Sequence, residues 1–187
     1  MLYIVGTPIG NLGDISKRVS DILSQADIIF AEDTRSALNL LNSQNIKKPI
    51  KSCHKDNESK TAEEILSLAA KNKTVLMSEA GMPCISDPGA LVVKKAIEQG
   101  VPFEIAQGPT ALIHAVIASG FCGGGFHFHG FLPRKENEKK KELERLKRIP
   151  APIIFYESPH RLKDTLRLIL KNFPKPIAVT REATKLH

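Results

Sequence analysis

Short apolar runs recur along the chain, each followed by a loop rich in Gly, Pro and polar residues and then, in most cases, by a segment of helical periodicity. The runs are "LYIV" at 2–5, "IIFA" at 28–31, "IKSC" at 50–53, "TVLMS" at 74–78 and "FEIA" at 103–106. Between them, "DISKRVSDILSQ" sets Ile15, Val19 and Ile22 at helical spacing behind a candidate cap at Asp14, and "ESKTAEEILSLAAK" reads as a further helix. Such alternation predicts an α/β fold with a largely parallel sheet. The unbroken apolar character of "IIF" and "TVLM" predicts strands covered on both faces.

A glycine cluster, "GFCGGGFHFHGF" from Gly120, interrupts this pattern. A second series follows, with strands expected in "FHFHGF", "IIFYES" and "IAVTRE" and helices near 136–149 and 159–172. The boundary is expected between 112 and 125, giving an N-terminal α/β domain over 1–115 and a basic C-terminal α/β domain over 116–187. Three strands make a small sheet with an open edge, so the second domain reads as incomplete. Charge divides the chain in the same place. Residues 1–111 carry 12 basic and 13 acidic side chains, whereas residues 112–187 carry 15 and 7. A near-neutral part joined to a basic one suggests a small-ligand site beside a grip for a polyanion such as RNA, although a basic surface is also a common and non-specific feature.

In an open α/β sheet, ligands sit beyond the carboxyl ends of the strands. The loops there are "GTPIGN", "EDTR", "HKDNE", "SEAGMPCISDPG" and "QGPTA". None contains a Walker lysine or a G-x-G-x-x-G, and Pro8, Pro83 and Pro109 remove amide donors that a phosphate would need. Gly and Pro together bring a rigid backbone close to a polar ligand. A nucleoside with an amino-acid tail fits these loops better than a triphosphate.

Taken in order, "LYIVGTPIGNLGDIS", "AEDTR", "HKDNE", "SEAGMPCISDPG", "QGPTALIHA", "GFLPRK", "IIFYESPHRL" and "TREATK" resemble the ribosomal RNA small subunit methyltransferase I family, which belongs to the tetrapyrrole-methylase-like class of S-adenosylmethionine enzymes. The resemblance runs from residue 2 to 187. It implies two α/β domains with the cofactor cleft between them, S-adenosylmethionine as donor, a homodimer, and 2'-O-methylation of a cytidine ribose in the decoding region of 16S rRNA. It also implies that Gly81, Met82, Pro83 and Ile85 cradle the donor through the main chain, that Thr110, Ala111 and Pro8 contact it, and that Tyr156, Ala183 and Thr184 close over the adenosine. Met82 stands where relatives commonly carry a small polar residue, which leaves backbone contacts as the expected ones. The chain also stops where relatives continue, so the second sheet is expected to lack strands.

Methyl transfer from a sulfonium needs the acceptor hydroxyl positioned and its proton received. His54 in "HKDNE" is the first candidate base, followed by Glu79 and Glu157; His54 could instead bind phosphate or cap the helix at 58. Asp33 and Arg35 could stand at the pocket mouth, Arg35 suiting a bidentate phosphate contact, or Asp33 could be a helix cap with an internal ion pair. Asn57 and Glu58 are candidates for orienting the target nucleotide, and Asn57 is equally placed as an N-cap. Arg134 and Lys135 open the stretch "RKENEKKKELERLKR", with eight basic and four acidic residues. That stretch is expected as a helix with an apolar stripe at Leu143, Leu146 and Ile149 and with i,i+4 pairs Glu136–Lys140 and Glu144–Arg148. Lys185 in "TREATK" is expected to face substrate.

"FHFH" places His127 and His129 on one strand face with Cys122 upstream, a set without zinc spacing, so no metal site is expected. Cys53, Cys84 and Cys122 form no C-x-x-C pair. No apolar run approaches the ~20 residues of a membrane span, and a cytoplasmic protein is expected. Two other functions remain open at this point: methylation of a tetrapyrrole or other small molecule by the same fold, and a non-catalytic RNA-binding assembly factor that keeps the donor pocket.

Overall fold

The computed structural model describes residues 1–173 and 175–185. Two compact units divide the chain: Met1–Ala111 joined by the segment that begins at Glu182, and Leu112–Arg181. The division falls a few residues before the expected 115/116 boundary. Ala183, Thr184 and Lys185, expected in the second domain, fold with the first unit.

The first unit runs β1 (Leu2–Val5), α1 (Lys17–Gln25), β2 (Ile28–Ala31), α2 (Thr34–Ser43), β3 (Ile50–Ser52), α3 (Glu58–Ala69), β4 (Thr74–Met77), α4 (Ala90–Glu98) and β5 (Phe103–Ala106). Its five strands are ordered β3-β2-β4-β1-β5, every neighbouring pair parallel. The register sets Leu2 opposite both Thr74 and Phe103, and Ile28 opposite Thr74. Side chains alternate between faces along each strand, and in the central strands β1, β2 and β4 both faces are covered, whereas the edge strands β3 and β5 keep exposed positions. Val5, Ile29, Ala31, Val75 and Met77 pack with Val19 and Leu23 of α1 and Ala37, Leu40 and Leu41 of α2. Leu2, Ile4, Phe30 and Leu76 pack on the other side with Ala62, Ile65, Leu66 and Ala69 of α3 and Val92 and Ala96 of α4. This double burial explains the unbroken apolar runs, each fully buried Leu, Ile, Val or Phe side chain contributing about 1.5–3 kcal/mol.

Strand order also places the site. The connection after β2 runs outward to β3 along one face, while the connection after β4 crosses β1 to β5 along the other. Neighbouring strands whose connections part in this way leave a crevice at their carboxyl ends. Helix starts follow the caps. Ser16, not Asp14, caps α1, its hydroxyl accepting from the Val19 N–H at 3.2 Å. Asp14 lies too early, in a 3₁₀ turn over Leu12–Asp14.

The second unit holds all but the first residue of α5 (Ala111–Ser119), then β6 (His127–Phe131), α6 (Glu136–Leu146), β7 (Ile153–Tyr156) and α7 (Leu162–Asn172). β6 and β7 pair in parallel across the α6 crossover, with a register shift between Phe128 and Gly130. Leu132, Leu143, Leu146 and Phe173 form its core, joined by Ile149, Ile153, Phe155, Leu168 and Ile169. The expected apolar stripe of α6 is therefore its buried face. On its outer face Glu136 pairs with Lys140 as expected, but Glu144 pairs with Lys147 rather than Arg148. The strand expected in "IAVTRE" does not form: among the described residues this segment joins neither β6 nor β7, and Val179 is 55% exposed. A β-run becomes a strand only when a neighbouring ladder accepts its hydrogen bonds.

Candidate active site

Three loops, "GTP" (6–8), "GMP" (81–83) and "GPT" (108–110), leave the carboxyl ends of the adjacent strands β1, β4 and β5. The first two are stitched by an antiparallel bridge. Thr7 N–H donates to the Gly81 carbonyl at 2.8 Å, and Gly81 N–H returns to the Thr7 carbonyl at 3.1 Å. The buried Ser78 hydroxyl adds a bond to the Gly81 carbonyl at 3.1 Å. The first and third loops touch backbone to backbone: a β-carbon on Gly6 would stand 2.5 Å from the Gly108 nitrogen and would also strike the Met82 sulfur. Gly81 is required for a different reason. A β-carbon there would make only ordinary contacts, 3.4 Å from the Ile9 side chain and 3.6 Å from the Pro109 carbonyl, but the Gly81 φ is +91°, a conformation side chains strain to reach.

The loop from Gly81 to Gly89 stays in left-handed backbone repeatedly, with Cys84 at +72° and Ser86 at +69°. Non-glycine residues hold such angles only where surrounding structure determines them, and here the Cys84 N–H closes on the Pro88 carbonyl at 3.1 Å. Pro8 and Pro83 are buried, while Ile85, Thr110 and Ala111 keep surface exposed at the rim. Thr184 comes back onto the first loop, its hydroxyl 3.4 Å from the Ile9 carbonyl, and lies with Lys185 against Gly10. Ala183 beside it is exposed. The result is a cradle walled by main chain.

Carboxylates gather at the ends of β2 and β4. Burial raises the Glu32 carboxyl above its ordinary range; the Glu79 N–H opposes this, and the Glu79 and Asp33 charges add to it. Asp87 is pushed up to about 6, first by burial and then by the charges of Glu32 and Glu79. Ser36 donates to the exposed Glu79 carboxylate at 3.3 Å. The charge of His54, at the end of β3, acts on Glu32, so the imidazole belongs to the same corner. Its Nδ1 lies 4.0 Å from Asp56. Glu32, Asp87, Gly6 and Gly108 were not singled out in the sequence, because nothing there shows that these strand ends are neighbours.

Several residues read as substrate contacts are occupied in holding the loops. The Glu58 carboxylate accepts from the N–H groups of Gly89 and Leu91 at 2.8 and 2.9 Å, capping α4, whose own N-cap position is a glycine. The Asn57 side chain accepts from the His54 N–H at 2.8 Å and donates to Ser52, bracing the "HKDNE" turn; Asn57 stands at the N-cap position of α3, where its carbonyl accepts from the Thr61 N–H but its side chain makes no cap bond. Asp33 caps α2 through the amides of Arg35 and Ser36, and those bonds hold its carboxyl below the ordinary range. The Arg35 side chain is 91% exposed, with Nε 3.7 Å from Asp33. Lys185 pairs with Glu182.

In the second unit, Tyr156 meets Phe128 and Phe131 edge-on at 5.0 and 5.7 Å. Glu157 is engaged on both oxygens. Oε1 accepts from Ser158 N–H and Arg161 Nε, and Oε2 accepts from Thr165, which in turn accepts from buried Lys139 at 2.7 Å. Burial alone would raise this carboxyl, yet these bonds hold it below the ordinary range. Arg134 and Lys135 are exposed ahead of α6, Lys135 lying 3.3 Å from Glu138. His129 faces Glu142 at 3.6 Å. Among the described residues no group of His, Cys, Asp and Glu is arranged to hold a metal ion.

Comparison with known proteins gives a single direction. The model of the tetrapyrrole (corrin/porphyrin) methylases matches residues 1–187. A ribosomal RNA small subunit methyltransferase I of Thermotoga maritima is 47% identical, the match covering 100% of this chain and 84% of that protein. The protein of the same name from Bacillus subtilis is 45% identical over 99% of this chain, which spans 64% of its length. Among solved structures, the methyltransferase CobJ superposes with a TM-score of 0.66 at 21% identity, covering 91% of this chain and 75% of that one. The uroporphyrin III C-methyl transferase of Thermus thermophilus gives 0.61 at 19%, covering 89% and 76%. These two share the fold. With the family model spanning the chain and close relatives aligned along all of it, the chain belongs to the ribosomal RNA small subunit methyltransferase I family of the tetrapyrrole (corrin/porphyrin) methylases.

Proposed function

We propose that this protein methylates the 2'-oxygen of a cytidine ribose in the decoding region of 16S rRNA. The observation that carries the reading is the main-chain cradle of Gly6, Gly81 and Gly108 in a chain whose relatives are named ribosomal RNA small subunit methyltransferase I. Methyltransferases of this family and fold use S-adenosylmethionine, which supplies an activated methyl group and its own leaving group. The residues fit that donor. The cradle offers rigid backbone amides and carbonyls and apolar walls from Pro8, Pro83 and Ile85, and its three loops, 6–8, 81–83 and 108–110, carry no lysine of their own that would favour a polyphosphate.

The protein's own tasks are to orient the ribose hydroxyl, exclude water and receive one proton. His54, Glu79 and Asp87 are the groups proposed for the proton. A carboxyl raised to about 6 is a stronger base than an ordinary one while remaining ionised at neutral pH. Glu157 is left out, because its oxygens already hold α7 and, through Thr165, the buried lysine of α6. Arg134 and Lys135 are proposed as phosphate contacts, since an aromatic content of 5% without Trp favours backbone grip over base stacking. Cytoplasmic location follows from that substrate; among the described residues no helix is long and apolar enough to cross a membrane. A homodimer is proposed as well. Its support is α5, apolar yet without a buried residue, with Ile113 and Ile117 exposed by 45% and 66%.

The test is transfer of labelled methyl from S-adenosylmethionine to small subunits lacking their native methylation, followed by alkaline digestion of the rRNA. Label in an alkali-resistant dinucleotide is the expected result, because a methylated 2'-oxygen cannot attack its own phosphate. Label released in mononucleotides would overturn the ribose assignment. Transfer to a tetrapyrrole instead of rRNA would favour a small-molecule methylase.

A further inference from the structure

The partly buried N–H of Gly108 donates to the sulfur of Met82 at 3.3 Å. A thioether is a weak acceptor, so this amide is satisfied poorly compared with those that bond carbonyls elsewhere in the same loops. Gly108 is held in place independently of that bond, because its backbone rests on Gly6 with no room for a side chain between them. Met82 follows Gly81, whose left-handed backbone turns the loop back toward the first strand end. Its side chain is unbranched, with three rotatable bonds, and adapts its shape more cheaply than a branched side chain of equal bulk. The cradle thus contains one fixed donor covered by one movable, weakly bound group.

Resting on the donor-cradle reading above, we infer that Gly108 N–H is a ligand-binding group and that Met82 is its displaceable cover, giving up the amide when an oxygen or nitrogen acceptor of the bound nucleoside donor arrives. The thioether keeps the amide from standing bare in the free protein. A neutral oxygen or a carboxylate outcompetes sulfur for the same N–H, since hydrogen bonds to harder and to charged acceptors are stronger. Met82 thereby acts on donor affinity through a side chain and not only through its main chain.

The full chain has three methionines, Met1, Met77 and Met82, so methyl-labelled methionine gives a spectrum with few signals. Met77 is buried in the sheet core and serves as the internal reference. The protein is titrated with S-adenosylhomocysteine while the methionine methyls and the Gly108 amide are followed, and affinities of the parent and Met82→Ala are measured by calorimetry. The expected result is a shift of the Met82 methyl and the Gly108 amide with Met77 unmoved, and an affinity of Met82→Ala that is three- to tenfold tighter, because nothing has to be displaced. Saturation with both Met82 and Gly108 signals unmoved, or an unchanged or weaker affinity of Met82→Ala, overturns the cover while leaving the donor site in place. A parent protein that takes up no S-adenosylhomocysteine overturns both.

Discussion

Gly6 and Gly108 meet through their backbones: a β-carbon on Gly108 would stand 2.6 Å from the Gly6 carbonyl carbon and 2.8 Å from its oxygen. Gly108→Ala therefore has to push β1 and β5 loops apart, at a cost of about 1–3 kcal/mol for an overpacked site. It is expected to weaken S-adenosylhomocysteine binding at least tenfold in calorimetry. Parental affinity in a folded variant would remove the third loop from the donor site.

Glu58 joins the start of α3 to the start of α4 by accepting two amides that Gly89 cannot cap for itself. Glu58→Ala is expected to lower unfolding stability by about 1–2 kcal/mol, the usual worth of a lost N-terminal cap. The urea midpoint measures it. A midpoint equal to the parent's would return Glu58 to the substrate contacts.

Asp87 sets a pH dependence. Its carboxyl is raised to about 6 in the folded chain, from an ordinary 3.8. As pH falls through 6 the native state takes up a proton that the unfolded chain binds only near 4, so this group makes folding more favourable on acidification across that window. Above 6 its buried charge opposes folding. Asp87→Asn is therefore expected to be more stable than the parent at pH 7.5 and to show a flatter change in melting temperature between pH 7 and 5. Parallel profiles for the two proteins would show that Asp87 is not held among unfavourable charges.

Glu157 and His54 are both candidate bases by sequence, and substitution is expected to separate them. Glu157→Ala leaves Arg161 and buried Lys139 without their carboxylate and is expected to cost about 3–5 kcal/mol, read as a lower denaturation midpoint. His54→Ala touches no such network. Its expected effect is slower single-turnover methyl transfer with donor affinity and stability intact. Transfer at the parental rate would place His54 among the loop supports.

The α/β class, the five strands of the first unit and its two-sided core were legible as unbroken apolar runs between amphipathic segments, because burial leaves a periodic mark on the residues themselves. The ordered loop motifs carried the family for a similar reason: Gly and Pro record what a backbone must do locally. "IAVTRE" shows where such marks fail, since Val179 has the residue type of a strand but among the described residues no ladder accepts it. Asp14 and Ser16 are equally good caps by type, and the geometry of one turn decided between them.

Strand order was beyond the reach of any local pattern. Only the arrangement β3-β2-β4-β1-β5 brings residue 6 against residue 108 and sets Asp87 among the charges of Glu32 and Glu79. Local residue patterns carry the class of fold, the chemistry of the loops and the family. Tertiary structure decided which loops are neighbours, and so which carboxylates share a corner and which are spent as caps: contact between residues far apart in the chain is a property of the packed sheet, and pKa, strain and exposure follow from contact.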